Sequence, residues 1–199
     1  MKKTALLVVG FLLVASVALA NTPVVVVGGV GSNVEQLGGL KDNIPGAIAI
    51  VPEKMWSLEE AARDLLKRIR EAGIDGRFII VAHSWGGLIA RRMDADNPGV
   101  VEKIITIASP HGGFGPAFVR FFFDAGDQAS QTPLYVIAAY NNLTPKFYMG
   151  EERNDGVVDL KSALDLRGKK ITEQKVVEGE HTEVLNSQVA IQLVKSWIN

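Results

Sequence analysis

The feature that most constrains the fold is the join between a strand-forming run and a helical pattern within residues 78–93. The run Phe-Ile-Ile-Val-Ala leads to Ser84, and an apolar helical pattern begins at Trp85. Small residues, Ala82 and Gly86, stand two positions before and two positions after the serine. A tight strand-to-helix turn brings the two elements too close for larger side chains there, and it raises the serine hydroxyl above the sheet edge. The pattern predicts that Ser84 is a nucleophile, with a simple helix cap as the alternative.

The remainder of the chain alternates between predicted strands and helices. Residues 23–27 are a proline followed by four β-branched valines, a run typical of a strand buried on both faces. Ser57 and Glu60 have the spacing of a capping box, and the helix that they open is expected to end at Gly73. Further strands are predicted at 47–51, 78–82, 103–108, 134–139 and within 169–177, and further helices at 85–93 and 187–198. This alternation predicts one α/β domain with a mostly parallel, six-stranded sheet and helices on both faces.

The first 20 residues are predicted to be a secretory signal peptide, which leaves residues 21–199 as the folded domain. Two lysines precede an almost wholly apolar stretch at 5–17, and the segment Ala-Leu-Ala at 18–20 is typical of a cleavage site. The alternative is an uncleaved helix over residues 4–20 that anchors the protein in a membrane. We therefore expect a secreted or periplasmic protein, or a membrane-anchored one.

Composition and spacing argue against several kinds of protein. The net charge is −1 without a run of like charges, so nothing indicates a nucleic-acid partner. The chain has no cysteine, which excludes disulfides, thiolate catalysis and thiolate metal sites. The glycine-rich stretch at 28–31 lacks both the dinucleotide spacing and a Gly-Lys-Ser/Thr sequence, which argues against nucleotide binding.

A serine nucleophile requires a base, and the chain has three histidines. His83 is the immediate neighbour of Ser84, and on a sharp turn its side chain should point elsewhere and only pack beside the turn. His111 follows a predicted strand and should reach the same sheet edge as Ser84, so it stays a candidate. His181 follows the last predicted strand and precedes the closing helix.

The base in turn requires an acid that orients it. Asp155 lies between Ser84 and His181 in the chain, and the order serine, aspartate, histidine is that of α/β-hydrolases. Asp155 is followed by glycine, so an ordinary turn residue is the alternative interpretation. Asp159 is the nearest competitor for the role of the acid.

The chain resembles a minimal α/β-hydrolase and is similar to the small bacterial triacylglycerol lipases and esterases that have little or no lid. The resemblance spans nearly the whole of residues 21–199. It depends on the following segments: Pro23-Val-Val-Val-Val-Gly-Gly-Val, Ala82-His-Ser-Trp-Gly-Gly, Ile107-Ala-Ser-Pro-His-Gly-Gly, Asp155-Gly-Val-Val and His181. The family usually has histidine where this chain has Gly28, and glycine where it has Ala82.

The resemblance implies acyl transfer from an ester. His181 would take the proton of Ser84 while the serine attacks the carbonyl, and Asp155 would hold the imidazole in the useful tautomer. The backbone amides of Val30 and Trp85 would bind the oxyanion. Water then releases the acyl-enzyme, so the mechanism needs no metal and no cofactor.

A phenylalanine-rich insertion predicts the class of substrate. Five of the chain's eight phenylalanines lie between residues 110 and 133, and three of them are consecutive. Three consecutive side chains cannot share one face of a helix, so at least one should face the cleft or solvent. An apolar wall suits a lipid or another apolar small-molecule ester, with transient contact to a lipid surface. The predicted substrate-binding residues are Gly29, His111, Phe121, Phe122 and Phe123.

Other functions use the same residues. An acyltransferase or a thioesterase would differ only in the molecule that enters after acylation. A secreted binding protein on a hydrolase scaffold would leave the three residues idle, since a fold alone does not determine a function. A peptidase is a weaker alternative, because the apolar insertion offers no recognition of a peptide backbone.

Overall fold

The computed structural model describes residues 22–54, 57–114, 124–127, 129–141 and 153–199. Within these residues six strands form one sheet in the order β2-β1-β3-β4-β5-β6, and every neighbouring pair is parallel. The strands are β1 (Val24–Val27), β2 (Ile48–Ile50), β3 (Phe78–His83), β4 (Val101–Ile107), β5 (Leu134–Tyr140) and β6 (Glu173–Glu178). The predicted six-stranded parallel sheet is confirmed.

Five α-helices and two short 3₁₀ helices are described between and after the strands. The Ser57 side chain accepts a hydrogen bond from the Glu60 amide at 3.3 Å, which confirms that Ser57 caps the helix that follows it. The same helix ends just before Gly73, whose φ of 84° suits glycine. The α-helices are α1 (Gly38–Lys41), α2 (Leu58–Glu71), α3 (Trp85–Asp96), α4 (Leu160–Leu164) and α5 (Gln188–Ile198), and the 3₁₀ helices are Glu35–Leu37 and Glu183–Asn186.

The sheet is covered on both faces because alternate residues of each strand point in opposite directions. In β3, Ile80 and Ala82 pack into the core beneath α2 and α3. Ile79 and Val81 pack on the other side, in the core that α1 and α5 cover. Strands buried on both faces explain why their sequences are continuous apolar runs rather than alternating ones.

The order of the strands determines where a site can form. The chain passes from β1 outwards to β2, and then returns across β1 to β3. In open parallel sheets, a crevice forms at the carboxyl ends of the strands where the winding direction changes. The glycine-rich loop after β1 and the turn after β3, which contains Ser84, both lie at this point.

No helix among the described residues is long and apolar enough to cross a membrane. The predicted signal segment, residues 1–20, lies outside the described ranges. In the same described part of the chain, no group of three or more histidine, aspartate or glutamate side chains could hold a metal ion.

Candidate active site

Ser84 occupies the sharp turn between β3 and α3. Its φ of 54° and ψ of −132° are unfavourable for a residue with a side chain and cost about 1–3 kcal/mol. Although Ser84 stands at the N-cap position of α3, its side chain makes no capping hydrogen bond. The hydroxyl oxygen instead lies 2.9 Å from Nε2 of His181. The alternative of a simple helix cap is therefore wrong.

The turn packs closely against the end of β1. A Cβ atom on Gly86 would lie 2.7 Å from the carbonyl oxygen of Gly28, closer than real contacts allow. A Cβ atom on Gly29 would lie 2.8 Å from Cβ of Ser84 and 3.0 Å from the amide nitrogen of Trp85. Glycine is needed at both positions because the two backbones meet there, so Gly29 lies directly against Ser84.

His181 connects Ser84 to Asp155. Nδ1 of His181 lies 2.7 Å from Oδ2 of Asp155, and Nε2 lies 2.9 Å from Oγ of Ser84. Because a carboxylate only accepts hydrogen bonds, Nδ1 carries the hydrogen and Nε2 presents its lone pair to the serine. The structure therefore brings together the three residues that the sequence analysis selected.

Asp155 is held in place by its own loop. It is 1% exposed, and its Oδ1 accepts hydrogen bonds from the amides of Val157 and Val158 at 2.9 and 2.7 Å. Its backbone carbonyl accepts from the amide of His181 at 2.8 Å. Asp159, the competing acid, is the N-cap residue of α4, and the carboxylate that contacts the His181 imidazole is that of Asp155.

The two predicted oxyanion donors lie in different elements, Val30 in the loop after β1 and Trp85 at the start of α3. Within the described part of the chain, the Val30 amide has no hydrogen-bond partner, and the Val30 side chain is 52% exposed. Trp85 is the first residue of α3, where the helix dipole favours negative charge. Trp85 directly follows Ser84, and Val30 directly follows Gly29, the residue that lies against Ser84; their role as oxyanion donors stays a prediction.

The side chain of Ser32 occupies the space beside Gly28, where the family usually has histidine. A Cβ atom on Gly28 would lie 2.9 Å from Cβ of Ser32 and 3.0 Å from Cγ2 of Val51, so a histidine would displace its neighbours. Ser32 also orders the loop, because its hydroxyl accepts from the Gly29 amide at 3.0 Å and its own amide donates to the Gly29 carbonyl at 3.2 Å.

His111 does not line the cleft, and the expectation that it binds substrate is wrong. It is 1% exposed, with Nδ1 at 3.0 Å from Nη1 of Arg91 and Nε2 at 3.0 Å from Oγ1 of Thr106. Since Arg91 can only donate, Nδ1 of His111 accepts and the ring is neutral. Burial, together with the adjacent guanidinium, holds the pKa of His111 well below its ordinary value of 6.5.

His83 does more than pack beside the turn, because it forms a hydrogen bond with the backbone of His181. It is 3% exposed, and its Nε2 lies 2.8 Å from the backbone carbonyl oxygen of His181. Burial, followed by the nearby His181, lowers the pKa of His83 to about 4. The ring is therefore neutral near pH 7 and bonded to a carbonyl, which agrees with the expectation that His83 is not the base.

Sequence reasoning missed a buried ion pair behind the site. Arg91 and Asp127 form two hydrogen bonds, of 2.9 Å from Nε and 2.7 Å from Nη2, and their side chains are 3% and 0% exposed. Nζ of Lys169 lies 3.9 Å from the same carboxylate. The two residues are 36 positions apart in the chain, so no local sequence pattern predicts their contact. The signal in the sequence was an arginine that directly follows an apolar part of the predicted helix, and this part of α3 is buried in the structure.

The consecutive phenylalanines, Phe121, Phe122 and Phe123, lie outside the described residues. Phe114, at the start of the same insertion, is described and is 42% exposed. It follows the loop after β4, the strand that pairs with β3.

Comparison with known families identifies the fold. The family model of the alpha/beta hydrolase fold matches residues 46–159, more than half of the chain. The chain belongs to the α/β-hydrolase family. A comparison with curated protein sequences gives no match.

Solved structures share the fold of this α/β-hydrolase at low sequence identity. The product of the lin2722 gene of Listeria innocua superposes with a TM-score of 0.67 at 16% identity, over 90% of this chain and 94% of that one. The lipase BlEst2 of Bacillus licheniformis, in its mature form, gives 0.64 at 16% identity, over 91% and 93%. A thermophilic esterase of Thermogutta terrifontis gives 0.62 at 11% identity, over 89% of both chains. These likenesses show the common fold.

Proposed function

We propose that this α/β-hydrolase is a secreted serine hydrolase that cleaves carboxylic esters through an acyl-enzyme. The observation that carries the proposal is the chain of hydrogen bonds from Ser84 through His181 to Asp155, at 2.9 and 2.7 Å. A nucleophile, a base and an orienting acid in this arrangement are what acyl transfer requires. The lipase and the esterase among the similar structures support an ester as the substrate.

The first half of the reaction forms the acyl-enzyme. Nε2 of His181 takes the proton from Oγ of Ser84 as the oxygen attacks the ester carbonyl carbon. Asp155 stabilises the imidazolium that results. The tetrahedral intermediate then collapses, and the leaving alcohol departs with the proton that His181 returns.

The second half repeats these proton transfers with water. His181 takes a proton from the water as its oxygen attacks the acyl carbon, and it returns the proton to Ser84 as the acid leaves. In both halves the negative oxygen would be bound by the amides of Val30 and Trp85. A preorganised donor of this kind contributes roughly 3–4 kcal/mol to the stabilisation of a transition state.

Apolar acyl esters, such as lipids, are the proposed substrates. Val30 and Phe114 are exposed apolar side chains at the carboxyl edge of the sheet, 52% and 42% exposed. They follow β1 and β4, the strands on either side of the one that leads to Ser84. Apolar side chains there would favour contact with an acyl chain and a transient encounter with a lipid surface.

Export by a cleaved signal peptide is part of the proposal. The basic start, the apolar stretch and the Ala-Leu-Ala segment of residues 1–20 support it. Sequencing of the exported protein should give an N-terminus at Asn21, whereas a protein retained in the membrane with an intact N-terminus would indicate the anchored alternative.

Replacement of the nucleophile tests the proposal. On a panel of p-nitrophenyl esters of increasing chain length, Ser84→Ala should lower kcat/KM by roughly 10⁴ while the protein stays folded. An organophosphonate should label Ser84 in the wild type. Thr106→Val is the matched control, since it removes the other hydroxyl that contacts a histidine ring. A fully active Ser84→Ala variant, or a label on another serine, would contradict the assignment.

Transfer to an added alcohol or thiol in excess of hydrolysis would indicate an acyltransferase.

A further inference from the structure

The fold places the ring of His83 next to the ring of His181, the proposed base. His83 is the last residue of β3, and it lies on the same face of the sheet as Ile79 and Val81. That face is covered by α5 and by the 3₁₀ helix Glu183–Asn186, which begins two residues after His181. Strand alternation therefore turns His83 towards the loop that carries His181, whereas the next residue, Ser84, belongs to the sharp turn that follows β3.

His83 donates a hydrogen bond to the backbone of His181. Its Nε2 lies 2.8 Å from the His181 carbonyl oxygen, and the two rings are 4.7 Å apart between centroids. Because a carbonyl only accepts, Nε2 carries the hydrogen, and in the neutral ring Nδ1 has only a lone pair. Within the described residues, no polar atom is in hydrogen-bond reach of that buried Nδ1.

Packing alone does not explain a histidine at this position. A buried acceptor without a partner is destabilising, and an apolar side chain of similar size would avoid this cost. The feature that an apolar side chain cannot supply is the N–H donated to the His181 carbonyl. The bond to the proposed base therefore accounts for the residue type.

The backbone of His181 is held on both sides. Its amide donates to the carbonyl of Asp155 at 2.8 Å, and its carbonyl accepts from His83. The first bond fixes the base relative to the acid. The second fixes the base relative to β3, the strand from which Ser84 emerges.

We propose that His83 is a positioning residue, whose Nε2–H ties the His181 carbonyl to β3 and so sets the distance between the imidazole and the Ser84 hydroxyl. The inference rests on the proposed serine hydrolase function. His83, the last residue of β3, then holds the base, and the next residue in the chain is the nucleophile, so the two move together. The effect is on catalysis rather than on binding, since misplacement of a reacting group by about 1 Å costs about 10²-fold in rate.

Two substitutions of His83 separate positioning from packing. His83→Phe retains an aromatic ring but removes the donor, whereas His83→Gln retains a side-chain N–H that can reach the carbonyl. On a short-chain p-nitrophenyl ester, His83→Phe should lower kcat about 10- to 100-fold, with KM changed less than about threefold. His83→Gln should recover kcat to within about fivefold of the wild type. The rate of Ser84 labelling by an organophosphonate should follow kcat.

Leu65→Ala controls for lost stability. Leu65 is fully buried in α2, under the opposite face of the sheet, and its truncation should lower the melting temperature by at least as much as His83→Phe. At temperatures where the protein is folded, it should keep the kcat of the wild type. If His83→Phe does not fold, the smaller His83→Leu replaces it.

Each outcome decides between the interpretations. Wild-type kcat in the apolar variant, or equal losses in the apolar and glutamine variants, would overturn the positioning role. If Leu65→Ala lowers kcat as much as His83→Phe does, the loss of kcat results from lost stability, and the positioning role is overturned as well. Absence of ester hydrolysis and of Ser84 labelling in the wild type would instead remove the proposed function, and the inference with it.

Discussion

Two pairs of a hydroxyl and an imidazole lie close to α3 in this α/β-hydrolase. In the first, His181 contacts Ser84 through Nε2 at 2.9 Å and Asp155 through Nδ1 at 2.7 Å. In the second, His111 contacts the hydroxyl of Thr106 through Nε2 at 3.0 Å, and its Nδ1 faces an arginine, at 3.0 Å from Nη1. The pairs are alike in the ring and the hydroxyl, and they differ in the charge on the far side of the ring.

That difference decides which ring can accept a proton. A carboxylate at Nδ1 would stabilise the imidazolium of the proposed mechanism, whereas a guanidinium there would oppose it. Exposure acts in the same direction, since the His181 side chain is 13% exposed and His111 is 1% exposed. His111 therefore suits a structural role, in which it links the loop after β4 to α3 and the Arg91–Asp127 ion pair. A histidine near a hydroxyl is not by itself evidence of a catalytic base.

The largest expected difference comes from replacing each histidine by glutamine. His181→Gln should lower kcat/KM by about 10⁴, as severely as Ser84→Ala, because the two residues act as a unit. His111→Gln should lower it less than about tenfold, since a glutamine oxygen can still accept from Arg91. Ester kinetics on both purified variants measure the contrast. The reverse ranking would move the base to His111 and void the role given to Asp155.

Replacement of the two buried aspartates by asparagine should have different effects, one on catalysis and the other on stability. Asp155→Asn should lower kcat by about 10⁴, because an amide can favour the wrong tautomer of His181, while the fold persists. Asp127→Asn leaves the buried Arg91 without its counter-charge, so the free energy of unfolding should fall by about 3–5 kcal/mol. Urea unfolding and kcat, measured on both variants, separate the effects. A strongly stabilising or neutral Asp127→Asn would show that the ion pair does not hold the region together.

The smallest expected effect is a loss of stability in acid. His83 and His111 are neutral in the folded state, with pKa values below 6.5, so from about pH 6.5 downwards only the unfolded chain takes up their protons. Stability should therefore fall as the pH decreases from about 6.5 towards 4, where the pKa of His83 lies. At about 1.4 kcal/mol per pKa unit, His83 accounts for about 3 kcal/mol over that window.

Urea unfolding at several pH values between 7 and 4.5 measures this effect. His83→Gln and His111→Gln should each make the free energy of unfolding depend less steeply on pH than it does in the wild type. If either variant keeps the wild-type slope, that histidine takes up protons equally in the folded and unfolded states. For His111, this result would remove the basis of the comparison between the two pairs.

Local requirements made much of the fold predictable from the sequence. The parallel sheet could be predicted because strands buried on both faces need continuous apolar runs such as Val24–Val27. The turn at Ser84 could be predicted because its close packing admits only small residues, and Gly86 does lie against the end of β1. The selection of Asp155 and His181 followed from chain order and a family resemblance, and the contacts between them are present in the structure.

The sheet, the position of the serine and the order of the three residues could thus be predicted, because each follows from neighbours in the chain. The surroundings of the histidines depend on contacts that form only in the packed fold. His83 meets the carbonyl of His181 across 98 residues, and Arg91 meets His111 across 20. Hydrogen bonding, desolvation and Coulomb forces act over a few ångströms in space, whatever the separation along the chain. Whether a histidine can take a proton is therefore decided by the packed fold.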